Sequence, residues 1–227
     1  MISGVPHHVT QRGNRRQPVF HSDDDYRSYL ALLREYTAKY SVEVLAYCLM
    51  PNHVHMVLVP STRDGLNQVL RSVHMRHAQR INFWQDWSGH LWQGRFFSSP
   101  LDETYLWNAI RYVELNPVRA ALVDQPGRYL WSSAVARCRS TLDPNLTQDP
   151  EWHRRFAAIG DWDRWLTTGL ESGCMDILRR MSNKGLPCGS DDFVIQLERA
   201  TGRCLRERPR GPRFQARQSR KIGTEPK

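Results

Sequence analysis

A hairpin of two β-strands is the clearest feature in the pattern of apolar and polar positions along the chain. Residues 42–49 (VEVLAYCL) and 53–60 (HVHMVLVP) are rich in strand-forming side chains, and the Met-Pro-Asn between them favours a turn. Further strands are predicted at residues 7–10 (HHVT) and 89–99 (GHLWQGRFFSS). The sequence therefore predicts four strands, with the hairpin in the middle.

Segments with helical spacing separate these strands. Residues 23–40 and 64–83 repeat apolar side chains every three or four positions, which predicts two amphipathic helices. A third helix is predicted at residues 103–115, ending before Pro117 because proline disfavours helical geometry in the residue that precedes it. The order β-α-β-β-α-β followed by a helix is typical of the α+β class. We expect the ferredoxin-like arrangement, one antiparallel sheet with helices packed on a single face.

The second half of the chain predicts a smaller helical region behind a polar, proline-containing linker. The predicted division is a first domain at residues 1–139, a linker at 140–160, a helical region at 161–205 and a tail at 206–227. The helices of that region are predicted at residues 162–170, 175–184 and 190–201. The tail combines arginines with prolines and has no apolar periodicity, which predicts a basic disordered segment.

The charge balance favours a polyanionic partner. The 227 residues include 32 Lys and Arg against 23 Asp and Glu, which gives a net charge of +9. Five scattered cysteines without a Cys-x-x-Cys arrangement argue against a disulfide framework and a zinc ribbon. The N-terminus lacks the apolar core of a signal peptide, and no stretch approaches the roughly 20 apolar residues of a membrane span. We therefore expect a soluble, cytoplasmic protein.

Two histidines on the second hairpin strand are candidate metal ligands. His53 and His55 are separated by one residue, so both imidazoles project from the same face of a strand. Neutral imidazole is a good ligand for a divalent metal, and a strand fixes its direction. The alternative, which the spacing alone favours, is a pair of polar residues on the exposed face of a half-buried strand.

The third predicted helix carries a candidate nucleophile. Tyr112 and Asn116 lie one helical turn apart, away from the apolar stripe expected to pack on the sheet, which consists of Leu106, Ala109, Ile110 and Val113. In that arrangement the phenol could act as a nucleophile while the amide completes a metal site. Alternatively, Tyr112 is an aromatic residue at the rim of the core, and Asn116 only ends the helix before proline.

Four motifs, in order, resemble a known family. A His-x-His strand with a helical tyrosine resembles the HUH single-strand nucleases. The series HHVTQRGNRR, AYCLMPNHVHMVLVP, GHLWQGRF and RYVELNPVRA is similar to the REP-associated tyrosine transposases from residue 7 to about residue 135. The resemblance implies the ferredoxin-like HUH fold, with His53 and His55 as metal ligands and Tyr112 as the catalytic tyrosine. Asn116 occupies the place where related enzymes supply a third ligand.

The same resemblance implies an activity. Such an enzyme is a transposase that cleaves single-stranded DNA near hairpins through a 5′-phosphotyrosine intermediate, with Mg²⁺ or Mn²⁺ as cofactor. Two other functions remain open: an inactive or domesticated relative that only binds folded DNA or RNA, and a metal-dependent hydrolase that activates water. In the hydrolase, Tyr112 would be dispensable. The protein would act as a monomer or a homodimer.

Basic and aromatic residues near the first and fourth strands are candidate DNA contacts. Arginines suit phosphates and aromatic rings suit unpaired bases; the candidates are Arg12, Arg15, Arg16, Trp92 and Arg95. Trp92 and Phe96 could both stack on bases, or both could face the core. Family members generally carry further residues before the first strand, whereas six residues precede His7 here. We therefore expect either impaired reading of DNA sequence or a start codon placed too far downstream.

Overall fold

A four-stranded antiparallel sheet forms the centre of the protein. The computed structural model describes residues 2–168 and 172–207. Its strands are β1 (His7–Arg12), β2 (Val42–Met50), β3 (His53–Pro60) and β4 (Phe97–Pro100). The strand order is β2-β3-β1-β4, and every pair of neighbours is antiparallel. The predicted α+β class and its antiparallel sheet are confirmed.

Nine helices surround this sheet within the described ranges. They are α1 (Asp23–Lys39), α2 (Gly65–Gln85), α3 (Glu103–Glu114), α4 (Asn116–Arg119), α5 (Ala134–Cys138), α6 (Pro150–Ala157), α7 (Trp162–Thr167), α8 (Ser172–Lys184) and α9 (Asp191–Thr201). Short 3₁₀ turns occur at Asn14–Arg16 and Pro126–Arg128. None of the helices in the described part of the chain is long and apolar enough to span a membrane.

The helices α1 and α2, which connect strands, pack on one face of the sheet. Strand residues at alternate positions, such as Val54 and Met56, point to this face and are fully buried there. They meet Leu33 of α1 and Leu70 of α2 in one apolar cluster. This half of the core follows the predicted arrangement.

The opposite face is also covered, which corrects the expectation of helices on a single face. Val57 of β3 belongs to a second apolar cluster with Ile110 of α3, Leu166 of α7 and Leu178 of α8. The physical reason lies in β2 and β3, whose residues are buried almost without interruption along both strands. Continuous apolar strands of this kind need cover on both faces of a sheet, whereas alternating strands need it on one.

The fourth strand is shorter than the sequence suggested. The expected strand at residues 89–99 is replaced by a loop, and only residues 97–100 pair with β1. Gly89 and Gly94 adopt φ values of 93° and 64°, a left-handed geometry that interrupts an extended strand. Between these glycines the chain turns inward, and Trp92 donates its indole N–H to the His74 carbonyl at 3.0 Å.

The segment at residues 140–160, assigned to a linker from its composition, contains a helix that packs on the sheet. The indole N–H of Trp152 in α6 donates to Glu43 Oε2 of β2 at 3.1 Å. The three predicted C-terminal helices correspond to α7, α8 and α9. Residues 208–227 of the predicted basic tail lie outside the described residues. The division into domains stays a prediction.

A buried carboxylate fixes the C-terminal end of α3. Glu114 is completely buried and accepts hydrogen bonds from Ser133 Oγ at 2.5 Å and Trp162 Nε1 at 2.7 Å. It is also paired with the guanidinium of Arg137. Because a buried charge needs such partners, this network holds the end of α3 against α5 and α7.

Candidate active site

The two histidines of β3 project together, as their spacing predicts. His53 and His55 lie on one face of the strand, with ring centroids 4.9 Å apart and nearly perpendicular planes. His55 is only 6% exposed, whereas His53 at the start of the strand is partly exposed. The pair therefore does not lie on an open, solvent-exposed face of the sheet, because the helices of the second apolar cluster cover that face.

A third histidine, which the sequence analysis did not assign to the site, comes from β1. Antiparallel pairing sets Thr10 of β1 opposite His55, so His8 lies diagonally across from His55 on the same face. The two imidazoles lie side by side with parallel planes, at a centroid distance of 5.3 Å, and His8 Nε2 is 3.1 Å from His55 Nδ1. The alternation of His8, Thr10 and Arg12 on one face was the only signal in the sequence for this contribution.

Tyr112 reaches the histidines from α3. The apolar stripe of this helix packs on the sheet, as expected, which turns Tyr112 toward the same cavity. Its ring meets His8 and His55 edge-on, at centroid distances of 5.6 and 5.4 Å. One chain alone therefore brings the candidate nucleophile beside the candidate metal ligands.

Asn116 joins the site at a break between two helices. The chain leaves α3 at Leu115 and starts the short helix α4, in which Pro117 occupies the first turn, where no backbone N–H is needed. Asn116 Nδ2 donates to the Tyr112 carbonyl at 3.0 Å. That bond holds the amide against the helix and leaves its oxygen as an acceptor, and Asn116 lines the same cavity as the histidines.

All three imidazoles are neutral near pH 7. Burial lowers the pKa of His8 to about 4, and burial together with the charge of Arg12 lowers the pKa of His53 to about 4. The pKa of His55 lies well below its ordinary value, first because of burial and then because of the surrounding histidines and arginines. Neutral imidazole is the form that binds a metal ion.

The acceptor atoms that remain suit a small divalent metal. His53 Nδ1 lies 2.6 Å from Asn52 Oδ1, and His55 Nδ1 lies 3.1 Å from His8 Nε2. Within the described ranges no hydrogen bond is made by either Nε2 atom, and both imidazoles line the same cavity as Asn116. No group of three or more His, Cys, Asp and Glu side chains in the described part of the chain is arranged to hold a metal. A site here would therefore combine two imidazoles with an amide oxygen.

Arginines give the cavity its charge. The space in front of Tyr112 has a volume of about 400 Å³, and its described lining includes Arg12, Arg119 and Arg179 but no carboxylate. The guanidinium carbon of Arg119 lies 4.8 Å from the centre of the Tyr112 ring. Cations without carboxylates at a polar cavity suit a phosphate group.

The other candidate DNA contacts divide into two groups. Arg15, Arg16 and Arg95 are exposed, and Asn52, next to His53, donates to the Arg16 carbonyl at 3.1 Å. The 3₁₀ turn that carries Arg15 and Arg16 is therefore attached to the edge of the site.

Trp92, in contrast, lies in the core. It is only 8% exposed, and its indole packs on the His74 ring at a centroid distance of 4.6 Å. Phe96 is partly buried against the same cluster. The structure thus corrects the interpretation of Trp92 as a base-stacking residue, because its ring faces are already covered.

Comparison with known proteins places these features in context. A family model described as IS200-like transposase matches residues 2–116. A search among curated proteins found no match to the sequence. Among solved structures, a REP-associated tyrosine transposase bound to a REP hairpin is 18% identical. That match covers 65% of this chain and 88% of the other, with a TM-score of 0.52. The likeness supports the fold.

A proposed transposase from Deinococcus radiodurans R1 is also 18% identical, over 50% of this chain and 92% of the other. Its TM-score of 0.38 is too low to support an argument.

Proposed function

Because this chain belongs to the IS200-like transposase family, we propose that it cleaves single-stranded DNA near hairpins and transfers the cut end, with Tyr112 as the nucleophile. The observation that carries the proposal is the position of the Tyr112 ring. Its centroid lies 5.4 Å from the centroid of the His55 ring, and the guanidinium of Arg119 lies over it. A tyrosine that only filled the rim of the core would not need this cavity. The site is assembled within one chain, so a monomer contains every proposed group.

The placement of the phenol supports covalent catalysis by Tyr112. Attack of the Tyr112 oxygen on the scissile phosphorus forms a 5′-phosphotyrosine and releases the neighbouring strand with a 3′-hydroxyl. The phosphodiester energy is retained in the new bond. A 3′-hydroxyl from a second strand can then reverse the step and join new ends, which distinguishes strand transfer from simple hydrolysis.

The cavity's cations support the same step. The guanidinium of Arg119 lies over the Tyr112 ring, so its charge would stabilise the negative charge that develops on the phenolic oxygen and the phosphate during attack. Arg12 and Arg179 line the same cavity and would hold the flanking phosphates. A preformed set of donors of this kind stabilises the transition state more than the ground state, because charge accumulates during attack.

The metal of the proposed reaction would be held by His53, His55 and Asn116. A bound divalent cation, Mg²⁺ or Mn²⁺, would polarise the phosphate. The chain's own task is to present two neutral imidazole nitrogens and one amide oxygen in fixed directions. The hydrogen bonds of the His53 and His55 Nδ1 atoms and the Asn116 amide supply that rigidity.

The DNA strand would enter along the arginines next to the site. Arg15, Arg16 and Arg95 are exposed and lie on neighbouring segments, because Asn14 N bonds the Leu91 carbonyl at 2.7 Å. Contacts of this type hold phosphates without reading sequence. The REP hairpin bound by the similar solved structure supports a hairpin substrate for this chain as well.

The proposal is tested with 3′-end-labelled single-stranded hairpin DNA, Mn²⁺ and denaturing electrophoresis. A labelled protein band is expected for the wild type and for Tyr105→Phe, a control on the same helix, and no band for Tyr112→Phe. Cleavage that survives Tyr112→Phe without a band would support the hydrolase instead. Binding without cleavage would support the domesticated binding protein.

A further inference from the structure

A chain of buried hydrogen bonds runs from the C-terminal helical region to His55, one of the proposed metal ligands. Ser182 Oγ of α8 is 2.7 Å from His8 Nδ1, and His8 Nε2 is 3.1 Å from His55 Nδ1. We infer that Ser182 and His8 are positioning residues that fix the direction and the tautomer of His55. This inference rests on the proposed function, because it assigns a role to residues behind a proposed ligand.

The two hydrogen bonds allow either direction of donation, and metal binding at Nε2 of His55 would select one of them. A metal ligand at Nε2 of His55 must be unprotonated there, so its proton is on Nδ1 and is donated to His8 Nε2. His8 then carries its own proton on Nδ1 and donates it to the Ser182 oxygen. Each member of the chain has one role, and reversing the order would place a proton on Nε2 of His55, the nitrogen that would bind the metal.

Burial makes this order difficult to replace. His8 is 1% exposed and Ser182 is 2% exposed, so water does not offer an alternative partner for either group. The planes of the His8 and His55 rings differ by only 4°, which suits a hydrogen bond between their nitrogens. Loss of the serine oxygen would leave a buried N–H without an acceptor, which favours a different tautomer or ring orientation for His8.

Ser182 belongs to α8, which lies outside the part of the chain that the family model matches. The family model ends at residue 116, whereas α8 begins at Ser172. Arg179 and Asn183 of α8 line the cavity beside Ser182. The C-terminal region therefore contributes one wall of the site and the end of the hydrogen-bond chain.

The chain also contains a matched pair that serves as a control. His7, the neighbour of His8, is 1% exposed, and its Nδ1 is 2.9 Å from Ser98 Oγ. Successive strand residues point to opposite faces, so this pair has the same chemistry but lies on the other side of the sheet from His55, and Ser98 is more exposed than Ser182. Removing its hydroxyl tests the general cost of losing a serine–histidine hydrogen bond that is not connected to the proposed metal ligands.

The first measurement is the affinity of the protein for Mn²⁺ alone, from the electron paramagnetic resonance signal of the free ion. Removal of partners behind a metal-ligating histidine typically weakens metal binding about 10- to 100-fold. We expect a weakening in that range for Ser182→Ala, wild-type affinity for Ser98→Ala, and recovery in Ser182→Thr. Unchanged affinity in a folded Ser182→Ala would overturn the inference. Absence of Mn²⁺ binding in the wild type would contradict the proposed metal site itself.

A second measurement uses the wild-type protein, and variants are needed only to assign the histidine signals in its NMR spectra. In metal-free wild-type protein at pH 7.5, ¹⁵N spectra of the histidine rings report which nitrogen carries the proton. We expect His8 and His55 both to be protonated at Nδ1. Protonation of His55 at Nε2 would overturn the inference even if Ser182→Ala failed to fold.

Discussion

The Glu114 network gives a stability prediction whose size follows from the structure. Glu114→Gln keeps the volume of the side chain but removes the charge that pairs with Arg137, and both side chains are nearly inaccessible to solvent. Breaking a buried ion pair from one side typically costs about 3–5 kcal/mol, because the remaining charge stays buried without compensation. At about 2.1 cal/mol/K of unfolding entropy per residue, a loss of about 4 kcal/mol in a chain of this length lowers Tm by about 8 °C.

A second glutamate on α3 supplies the control. Glu103 also contacts an arginine and a tryptophan, Arg155 and Trp107, but its side chain is 66% exposed. Exposed ion pairs contribute about 0–1 kcal/mol, so Glu103→Gln should lower Tm by about 2 °C or less. The assay is urea and thermal unfolding followed by circular dichroism. Equal, small effects of Glu114→Gln and Glu103→Gln would refute the reasoning that burial sets the cost.

Three further predictions concern the cavity, the core and acid stability. Arg119→Ala should lower the single-turnover cleavage rate about 100- to 1,000-fold, as loss of one transition-state donor typically does, with partial recovery in Arg119→Lys; an unchanged rate would remove Arg119 from the mechanism. Trp92→Ala should destabilise the fold by about 3–5 kcal/mol in urea unfolding. Below its Tm, that variant should bind single-stranded DNA in a filter-binding assay as tightly as the wild type does. Weaker binding would indicate that Trp92 contacts DNA after all. Burial lowers the pKa of His74 to about 3 and of His77 to about 4, so the unfolded chain takes up their protons first as the pH falls below about 6.5. These two groups together should cost about 3 kcal/mol of stability between pH 7.5 and 5.5, and an equally steep loss in His74→Gln would contradict this assignment.

The hairpin shows what the apolar pattern predicts well. Two long apolar segments around a proline turn leave few alternatives, and the observed β2 and β3 agree with the prediction to within one residue. The same segments also indicate on which faces of the sheet helices pack. Their lack of alternation indicates burial on both faces, so the cover provided by α3 and α8 was predictable in principle.

The fourth strand shows where the pattern misleads. Aromatic and apolar residues at 89–99 favour a strand, but Gly89 and Gly94 adopt left-handed geometry and let Trp92 fill the core. Whether such a ring contacts bases or the interior depends on packing against residues distant in sequence, here His74 on α2. Local propensity does not contain that information.

The candidate site was predictable only in part for the same reason. His53, His55, Tyr112 and Asn116 are brought together, and their relation within each element follows from strand and helix periodicity. The contribution of His8 depends on the register between β1 and β3, which is a tertiary property. Ser182 comes from a helix far along the chain, and nothing in its local sequence indicates a contact with β1.

The central claim is that Tyr112 forms the covalent bond to DNA, and mass spectrometry of the adduct tests it most directly. Tyr112 follows Arg111, and the next arginine is Arg119, so trypsin isolates the candidate nucleophile on the peptide spanning residues 112–119 (YVELNPVR). After reaction with hairpin DNA and Mn²⁺ and nuclease trimming, we predict that the nucleotide mass is added to this peptide, with fragmentation locating it on the tyrosine. An adduct on another tyrosine peptide, or cleavage of the DNA without any adduct, would contradict the account.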